Sequence, residues 1–227
     1  DKGPLMRVGL MKINSNKHVL VIGIHHIIAD GVSVGIIFRE ISEIYSGKTL
    51  NKLEVQYKDF SVWQNEYLKS DKMKKQEEYW VEKLNGKLPV LDIRTDFPRP
   101  SVQSFDGDTI EFKAENDIVE GLRKVLEKSK TTMYMLLLAA YNVLLYRYSN
   151  QEDIIVGSPI AGRQREEVQN IIGMFVNTLA IRNNPEGEQY FKDFLEEVKE
   201  SSLRAYDNQE YPLEELIEKV DIESDMS

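Results

Sequence analysis

Residues 25–31, with the sequence HHIIADG, join two segments whose apolar residues recur with different periods. The run before them, residues 19–24, is apolar and rich in β-branched side chains, as is typical of a buried strand, whereas residues 34–44 carry apolar side chains at helical spacing. The pattern therefore predicts a strand that brings two imidazoles to a tight corner, followed by a helix. Because side chains alternate along a strand, we expect His25 and His26 to point to opposite sides.

Either histidine could carry proton-transfer chemistry, since an imidazole with an unperturbed pKa of about 6.5 is largely neutral near neutral pH. Asp30 could hold the imidazole in one tautomer, or it could pair with an arginine and brace the loop. Gly31 permits backbone conformations that are closed to other residues. The short motif alone leaves these roles open. A metal site is not expected, because adjacent histidines splay apart and the chain has 3 histidines and no cysteine.

Composition excludes several classes of protein. The 227 residues, 41% of them hydrophobic and 30% charged, can supply the core of one large domain or of two small lobes. The lack of cysteine excludes disulfides and a cysteine nucleophile, and a formal net charge of -9 argues against general nucleic-acid binding. Neither a signal-peptide pattern nor an apolar stretch of the ~18 residues that span a bilayer is found. We therefore expect a cytoplasmic protein with no membrane and no nucleic acid among its partners.

Apolar periodicity along the rest of the chain predicts a succession of strands and helices. The helix near residues 132–146 is apolar nearly all round, so we expect it to be buried centrally. A connector rich in proline and glycine separates the two halves of this succession. The predicted elements are an antiparallel hairpin over 5–13 and 18–24, strands near 108–113, 153–160 and 175–182, helices near 33–45, 57–68, 73–84, 117–128, 132–146 and 191–206, and a last helix starting at Pro212, with the connector over 89–108.

Four motifs in the chain resemble those of a known family. HHIIADGVS, at residues 25–33, resembles the HHxxxDGxS signature of condensation domains from nonribosomal peptide synthetases, which are relatives of chloramphenicol acetyltransferase. YKDFSVW at 57–63, IGMFVNTLAIR at 172–182 and NQEYPLE at 208–214 resemble the family's YxDFAVW, IGxFVNTxxxR and NQDYPFE segments. Their order is that of the family, and they spread over most of the chain, which makes the resemblance specific.

The resemblance implies a fold and its division into lobes. The expected architecture is α/β, with lobes built as two-layer α+β sandwiches in the two-lobe arrangement of chloramphenicol acetyltransferase. Residues 1–97 are expected to belong to the N-terminal lobe that carries HHxxxDG, and residues 98–227 to the C-terminal lobe. Complete SxAQxR, RHExLRTxF and RDxSRNPLF motifs of the family are missing here. The chain is therefore expected to be an internal piece of a domain, incomplete at both ends.

The resemblance also implies an activity, which is the formation of an amide bond between a donor acyl or peptidyl thioester and an acceptor aminoacyl thioester. Both substrates are expected on phosphopantetheine arms of peptidyl carrier proteins, beside a neighbouring adenylation domain, with no cofactor or metal bound by the domain itself. The isolated piece is expected to be inactive, because two tethered substrates must meet in one cleft. The alternatives are a non-catalytic interaction or scaffold fragment, or a related epimerisation or acyltransferase domain.

The family motif assigns catalysis to His26, which is expected to face a cleft between the lobes and to accept a proton from the attacking amine or hold that amine in place. His25 is expected to point into packing. His25, Asp30, Gly31 and Ser33 are expected to support the site.

Two arginines and one amide complete the predicted support of the site. GSPIAGR, at residues 157–163, resembles the family's GxPxAGR segment and makes Arg163 the expected ion-pair partner of Asp30, with Arg182 as the rival. An arginine suits this role because its planar fork can engage a carboxylate and stays charged when buried. Asn177 is either a donor facing the substrate or a brace for its loop, since a buried amide needs a partner.

Overall fold

A computed structural model describes residues 3–98 and 107–220, which form two compact units. The first unit comprises the described residues up to Lys74 together with Pro159–Asn177, and the second comprises Lys75–Ser158 and the residues from Thr178 onward. The elements in chain order are β1 (Met6–Asn14), β2 (Lys17–Ile24), α1 (Gly31–Tyr45), α2 (Tyr57–Tyr67), α3 (Asp71–Lys83), α4 (Asn116–Ser129), α5 (Met133–Ser149), β3 (Ile154–Ile160), β4 (Asn177–Asn183), α6 (Phe191–Asp207) and α7 (Leu213–Ile217).

Mixed strands and helices confirm the predicted α/β class. The chain enters the second unit at Lys75, returns to the first at Pro159 and enters the second again at Thr178. The lobe boundary at residues 97–98 stays a prediction, and part of the predicted connector lies outside the described residues.

The hairpin of the first unit is antiparallel, as predicted, with Met6 opposite Ile24 and Leu10 opposite Leu20. The expectation that its second strand is buried is wrong for the described part of the chain. β2 pairs with β1 alone, and most of its residues are exposed. Val21 of β2, for example, retains 48% of its accessible surface.

The core of the first unit lies around a short segment before β4. Val168, Ile171 and Phe175 are buried there, and Val55, Tyr57 and Phe60 pack against them. The start of α2 is fixed by two bonds between Gln56 and Asp59, in which the Asp59 carboxylate accepts the Gln56 amide at 2.9 Å and the Gln56 carbonyl accepts the Asp59 amide at 3.0 Å. These bonds fix the first turn of α2, from which Tyr57 and Phe60 pack against the buried residues Val168, Ile171 and Phe175.

The second unit is organised by α5, which packs against α4 and α6. The loop that contains the NQEYP motif is fastened to α3, because Trp80 Nε1 donates to the Asn208 carbonyl at 2.8 Å. Gln76 is buried beside it, and its Oε1 accepts from the amides of Glu210 and Tyr211, each at 3.1 Å. Other buried apolar residues of this unit are Leu136, Ala139 and Leu145 of α5, Leu179 and Ile181 of β4, and Leu195 and Val198 of α6.

Two expectations for the second unit are corrected. Residues 108–113 form no strand, since no described segment forms a ladder with them, and Ile110 and Phe112 are each 90% exposed. The helix expected to be buried centrally packs against α4 and α6 but keeps an exposed apolar stripe in the part of the chain that the structure describes. Its exposed stripe consists of Tyr134, Leu137, Tyr141, Leu144 and Tyr148.

Candidate active site

The two histidines lie on a short turn that is fastened at both ends. β2 ends at Ile24, and a 3₁₀ turn covers His26–Ile28. On the N-terminal side, the His25 amide donates to the Leu5 carbonyl at 2.8 Å, and the His25 Nδ1 accepts the Ile27 amide at 3.1 Å. On the C-terminal side, the Asp30 amide donates to the Gly173 carbonyl at 3.2 Å. All these contacts lie within the first unit.

Both imidazoles are exposed, so the expectation that His25 points into packing is wrong for the described residues. The physical reason is that the strand stops before the histidines. His25 is the N-cap of the 3₁₀ turn and His26 is its first residue, so the alternation of strand side chains does not extend to either. The expectation that His26 faces a cleft between lobes stays a prediction.

Asp30 begins α1 as its N-cap and is only 1% exposed. Its Oδ1 accepts the Ser33 amide at 2.7 Å, and its Oδ2 accepts the Phe175 amide at 3.1 Å. A carboxylate at this position satisfies a free helix amide and interacts favourably with the helix dipole. Asp30 thus ties the start of α1 to the segment before β4.

Arg163 pairs with Asp30, which confirms the choice of this arginine over Arg182. Its Nη2 donates to both carboxylate oxygens, at 3.0 and 3.1 Å, and the side chains are 4% and 0% exposed. Its Nη1 donates to the carbonyls of Val168 and Ile171, at 2.8 and 2.6 Å. The guanidinium carbon lies 4.1 Å from the centre of the Phe175 ring. The carboxylate is therefore engaged by arginine, serine and a backbone amide, and does not orient an imidazole.

Ser33 connects the same groups from the first turn of α1. Its hydroxyl oxygen is buried and accepts from the Gly173 amide at 3.0 Å and from Arg163 Nη2 at 2.9 Å. The single hydroxyl hydrogen has two acceptors within reach, Asp30 Oδ1 at 2.7 Å and the Gly173 carbonyl at 2.8 Å. Ser33 thus links the first turn of α1 to Arg163 and Gly173, and its support of the active site stays a prediction.

Two glycines allow the segments to approach this closely, and sequence reasoning missed both. Gly162 has φ +64°, and a Cβ there would lie 1.8 Å from the Phe175 carbonyl oxygen. A Cβ at Gly173 would lie 2.1 Å from the ring of Tyr57. Tyr57 also donates its hydroxyl to the Met174 carbonyl at 2.8 Å. The presence of both glycines inside the quoted motifs was the available signal.

Gly31, by contrast, does not need to be glycine for conformational reasons. It is the first residue of α1, its φ is not positive, and a Cβ there would meet nothing within 4 Å. The expectation that it provides a backbone conformation closed to other residues is therefore wrong.

Arg182 pairs with a carboxylate other than that of Asp30, and Asn177 begins β4. Arg182 belongs to the second unit, where Nη2 and Nε bond the Asp153 carboxylate at 2.6 and 2.8 Å and Nη1 donates to the Asn85 carbonyl at 3.0 Å. Asn177 is the half-buried first residue of β4 and makes interactions of its own. Whether it donates to a substrate or braces its loop stays a prediction.

Electrostatics favour the ionised form of Asp30. Burial on its own would raise the pKa of this carboxyl, but hydrogen bonds from the Ser33 side chain and amide, the Phe175 amide and Arg163 outweigh burial and lower the pKa below its ordinary value of 3.8. The native state therefore holds a charged carboxylate more strongly than the unfolded chain does.

This shift predicts an acid-dependent loss of stability. Because the folded pKa is depressed, the stabilisation is fully present above about pH 4 and is lost as the pH falls through the lower folded pKa. Urea unfolding measured from about pH 7 to about pH 3 should show a steeper decline in the unmutated chain than in Asp30→Asn, which has no charge to lose. Equal slopes in the two proteins would contradict the shift.

Within residues 3–98 and 107–220, no group of three or more histidine, cysteine, aspartate or glutamate side chains is arranged to hold a metal ion. In the same two ranges, every helix is too short or too polar to traverse a bilayer.

The motifs brought together in the first unit belong to one family. A family model described as Condensation domain matches residues 1–227. The chain belongs to the condensation-domain family. Among curated relatives, this condensation-domain chain is 54% identical over 224 residues to Gramicidin S synthase 2 of Brevibacillus brevis, which covers 99% of the chain and 5% of that protein. It is 50% identical over 227 residues to Surfactin synthase subunit 1 of Bacillus subtilis (strain 168), covering 100% of the chain and 6% of that protein.

Solved structures share the fold of this condensation-domain chain. A four-domain nonribosomal peptide synthetase bound to AMP and glycine matches with a TM-score of 0.82 at 25% identity, covering 96% of the chain and 17% of that protein. The X-domain from teicoplanin biosynthesis matches with a TM-score of 0.91 at 22% identity, covering 100% of the chain and 53% of that domain. The chain thus spans about half the length of this solved relative and a small fraction of the curated synthetases.

Proposed function

We propose that this chain is the part of a condensation domain that carries the catalytic histidine, and that the whole domain joins a donor acyl or peptidyl thioester to an acceptor amine. One observation carries the proposal. His26 is exposed on a turn fastened at both ends, while the neighbouring carboxylate is fully engaged by Arg163. A free imidazole on a fixed support is what proton transfer to an incoming substrate requires.

The proposed step is attack of the acceptor amine on the thioester carbonyl. A carbon–nitrogen bond forms and the carbon–sulfur bond breaks. The proton given up by the nitrogen passes to His26, and the departing thiolate takes up a proton to leave as a thiol. His26 can act as this base or can hold the amine by accepting its hydrogen bond. Asp30 has no part in the proton transfer, because its contacts are those of a brace.

Much of the acceleration is expected to come from proximity. A thioester is already activated, so holding two reactants at attack distance removes a large part of the barrier. The relatives are large synthetases, and a solved relative has four domains. We propose that the reactants arrive on phosphopantetheine arms of donor and acceptor peptidyl carrier proteins, with an adenylation domain as neighbour, and that the synthetase is cytoplasmic.

Replacement of His26 tests this function in a full-length condensation domain carrying these 227 residues. With carrier proteins loaded with acyl and aminoacyl groups, His26→Ala should slow amide formation by roughly 10²–10⁴-fold, the usual contribution of a positioned base. His26→Gln separates the two roles, because an amide can accept a hydrogen bond but cannot take up the proton. Product release is followed by mass spectrometry.

The third histidine of the chain supplies the control. His18 lies on exposed β2, and His18→Ala should leave the rate unchanged. Full activity of His26→Ala would remove the base role and leave positioning by the rest of the cleft. An inactive unmutated domain would instead favour the alternative of a non-catalytic scaffold.

A further inference from the structure

We propose that His25 is a positioning residue for His26, and that it acts by holding the Ile27 amide with the unprotonated Nδ1 of its imidazole. The proposal rests on the function proposed above for His26. It assigns the first histidine of the pair a specific contact, in place of the packing expected from sequence.

The turn that carries His26 is fastened at its two ends, but few contacts stabilise it internally. It is a single 3₁₀ turn of three residues, none of them buried, so packing contributes little. Its backbone bonds are those from the Ile28 amide to the His25 carbonyl at 3.1 Å and from the Ala29 amide to the His26 carbonyl at 3.2 Å. The bond from the Ile27 amide to His25 Nδ1, also at 3.1 Å, adds a third restraint of equal length.

This restraint acts next to His26 in the chain. Ile27 follows His26 directly, so holding the Ile27 amide fixes the peptide group that joins His26 to Ile27. This peptide group is attached to the Cα atom that carries the His26 side chain. His25 and Asp30 therefore cap successive elements in the same way, since each accepts a backbone amide at the start of the element that it precedes. The turn is held by side chains from both sides.

The contact also defines the state of the His25 ring. A nitrogen that accepts an amide N–H carries no proton, so a neutral His25 must carry its proton on Nε2. Loss of the acceptor frees the Ile27 amide and lets the turn sample other arrangements. The fraction of molecules that present His26 correctly then falls, which lowers kcat and leaves substrate affinity unchanged.

Substitutions in a full-length condensation domain carrying these residues test the proposal. His25→Ala should lower kcat for amide formation roughly fivefold to tenfold with KM unchanged, the effect of losing one hydrogen bond. His25→Asn should restore most of the rate, because asparagine is a favoured N-cap acceptor. In a His26→Ala background, His25→Ala should cause no further loss, since the residue acts through His26.

A spectroscopic readout accompanies the kinetics and does not depend on activity. With ¹⁵N-labelled histidine, the signals that disappear in His25→Ala should show an unprotonated Nδ1 and a protonated Nε2. A protonated Nδ1, an unchanged kcat in His25→Ala, or a His25→Asn variant as slow as His25→Ala would each overturn the proposal. If His26→Ala retained full activity, the role proposed for His26 would fail and the positioning role of His25 with it, while the nitrogen signals would still decide whether His25 caps the turn.

Discussion

Asp30→Ala is expected to lower the free energy of unfolding by roughly 3–5 kcal/mol, because it leaves a buried cation without its counter-charge. The Arg163 side chain is only 4% exposed, so water cannot replace the missing carboxylate. The same substitution removes the acceptor for the Ser33 and Phe175 amides. The loss should be measured by urea unfolding at neutral pH, with circular dichroism as the signal.

A second ion pair in the chain provides the comparison. Asp153 pairs with Arg182 at the surface of the second unit, with side-chain exposures of 33% and 17%. Asp153→Ala should therefore cost much less, on the order of 1 kcal/mol. Asp30→Asn should fall between the two, because asparagine can still cap α1 while lacking the charge. Equal losses from Asp30→Ala and Asp153→Ala would show that burial of the ion pair does not determine the loss in the free energy of unfolding.

Gly162→Ala is expected to lower the free energy of unfolding by about 2–5 kcal/mol, combining left-handed strain with overpacking. The new Cβ would lie 1.8 Å from the Phe175 carbonyl oxygen and 2.9 Å from its carbonyl carbon. Phe175 cannot easily move, since its amide bonds Asp30 and its ring packs against Phe60 and under Arg163. The substitution should thus loosen the Arg163 contacts as well, and urea unfolding measures the total.

Gly35→Ala is the matched control for this substitution. Gly35 lies within α1, is exposed, and would place its Cβ where nothing lies within 4 Å. Alanine is favoured over glycine inside a helix, so Gly35→Ala should raise stability by about 0.5–1 kcal/mol. Opposite signs for the two glycines are expected. A Gly162→Ala protein as stable as Gly35→Ala would mean that the loop rearranges freely.

The periodicity of apolar residues was sufficient to predict most helices and strands of this fold, because each type of element has its own local repeat. The hairpin and the helices follow their predicted ranges within a few residues. Residues 108–113 have the alternation of a strand but form no ladder, since a strand requires a paired neighbour that local sequence does not specify. The apolar character of α5 likewise predicted central burial, although one stripe of the helix is exposed among the described residues.

The site was predicted in part, and the limit was again set by non-local contacts. Arg163 and Arg182 both follow apolar, strand-like residues and carry the same charge, so the sequence pattern alone does not decide which of them pairs with Asp30. The structure distinguishes them: Arg163 follows Gly162, whose backbone is left-handed, whereas Arg182 pairs with Asp153. His25 was misplaced for a different reason, because the strand ends one residue before it.

The Asp30–Arg163 contact limits where two related sequences can be recombined, because its two residues lie far apart in the chain. The two residues lie 133 positions apart in sequence, so a crossover between two parental synthetases anywhere in that span takes the carboxylate from one parent and the guanidinium from the other. Such a chimera keeps a matched bond only if the parent that supplies Arg163 also carries the small residues that let the segments meet, Gly162 and Gly173. Junctions before Asp30 or after Phe175 keep the whole cluster from a single parent and carry no such restriction.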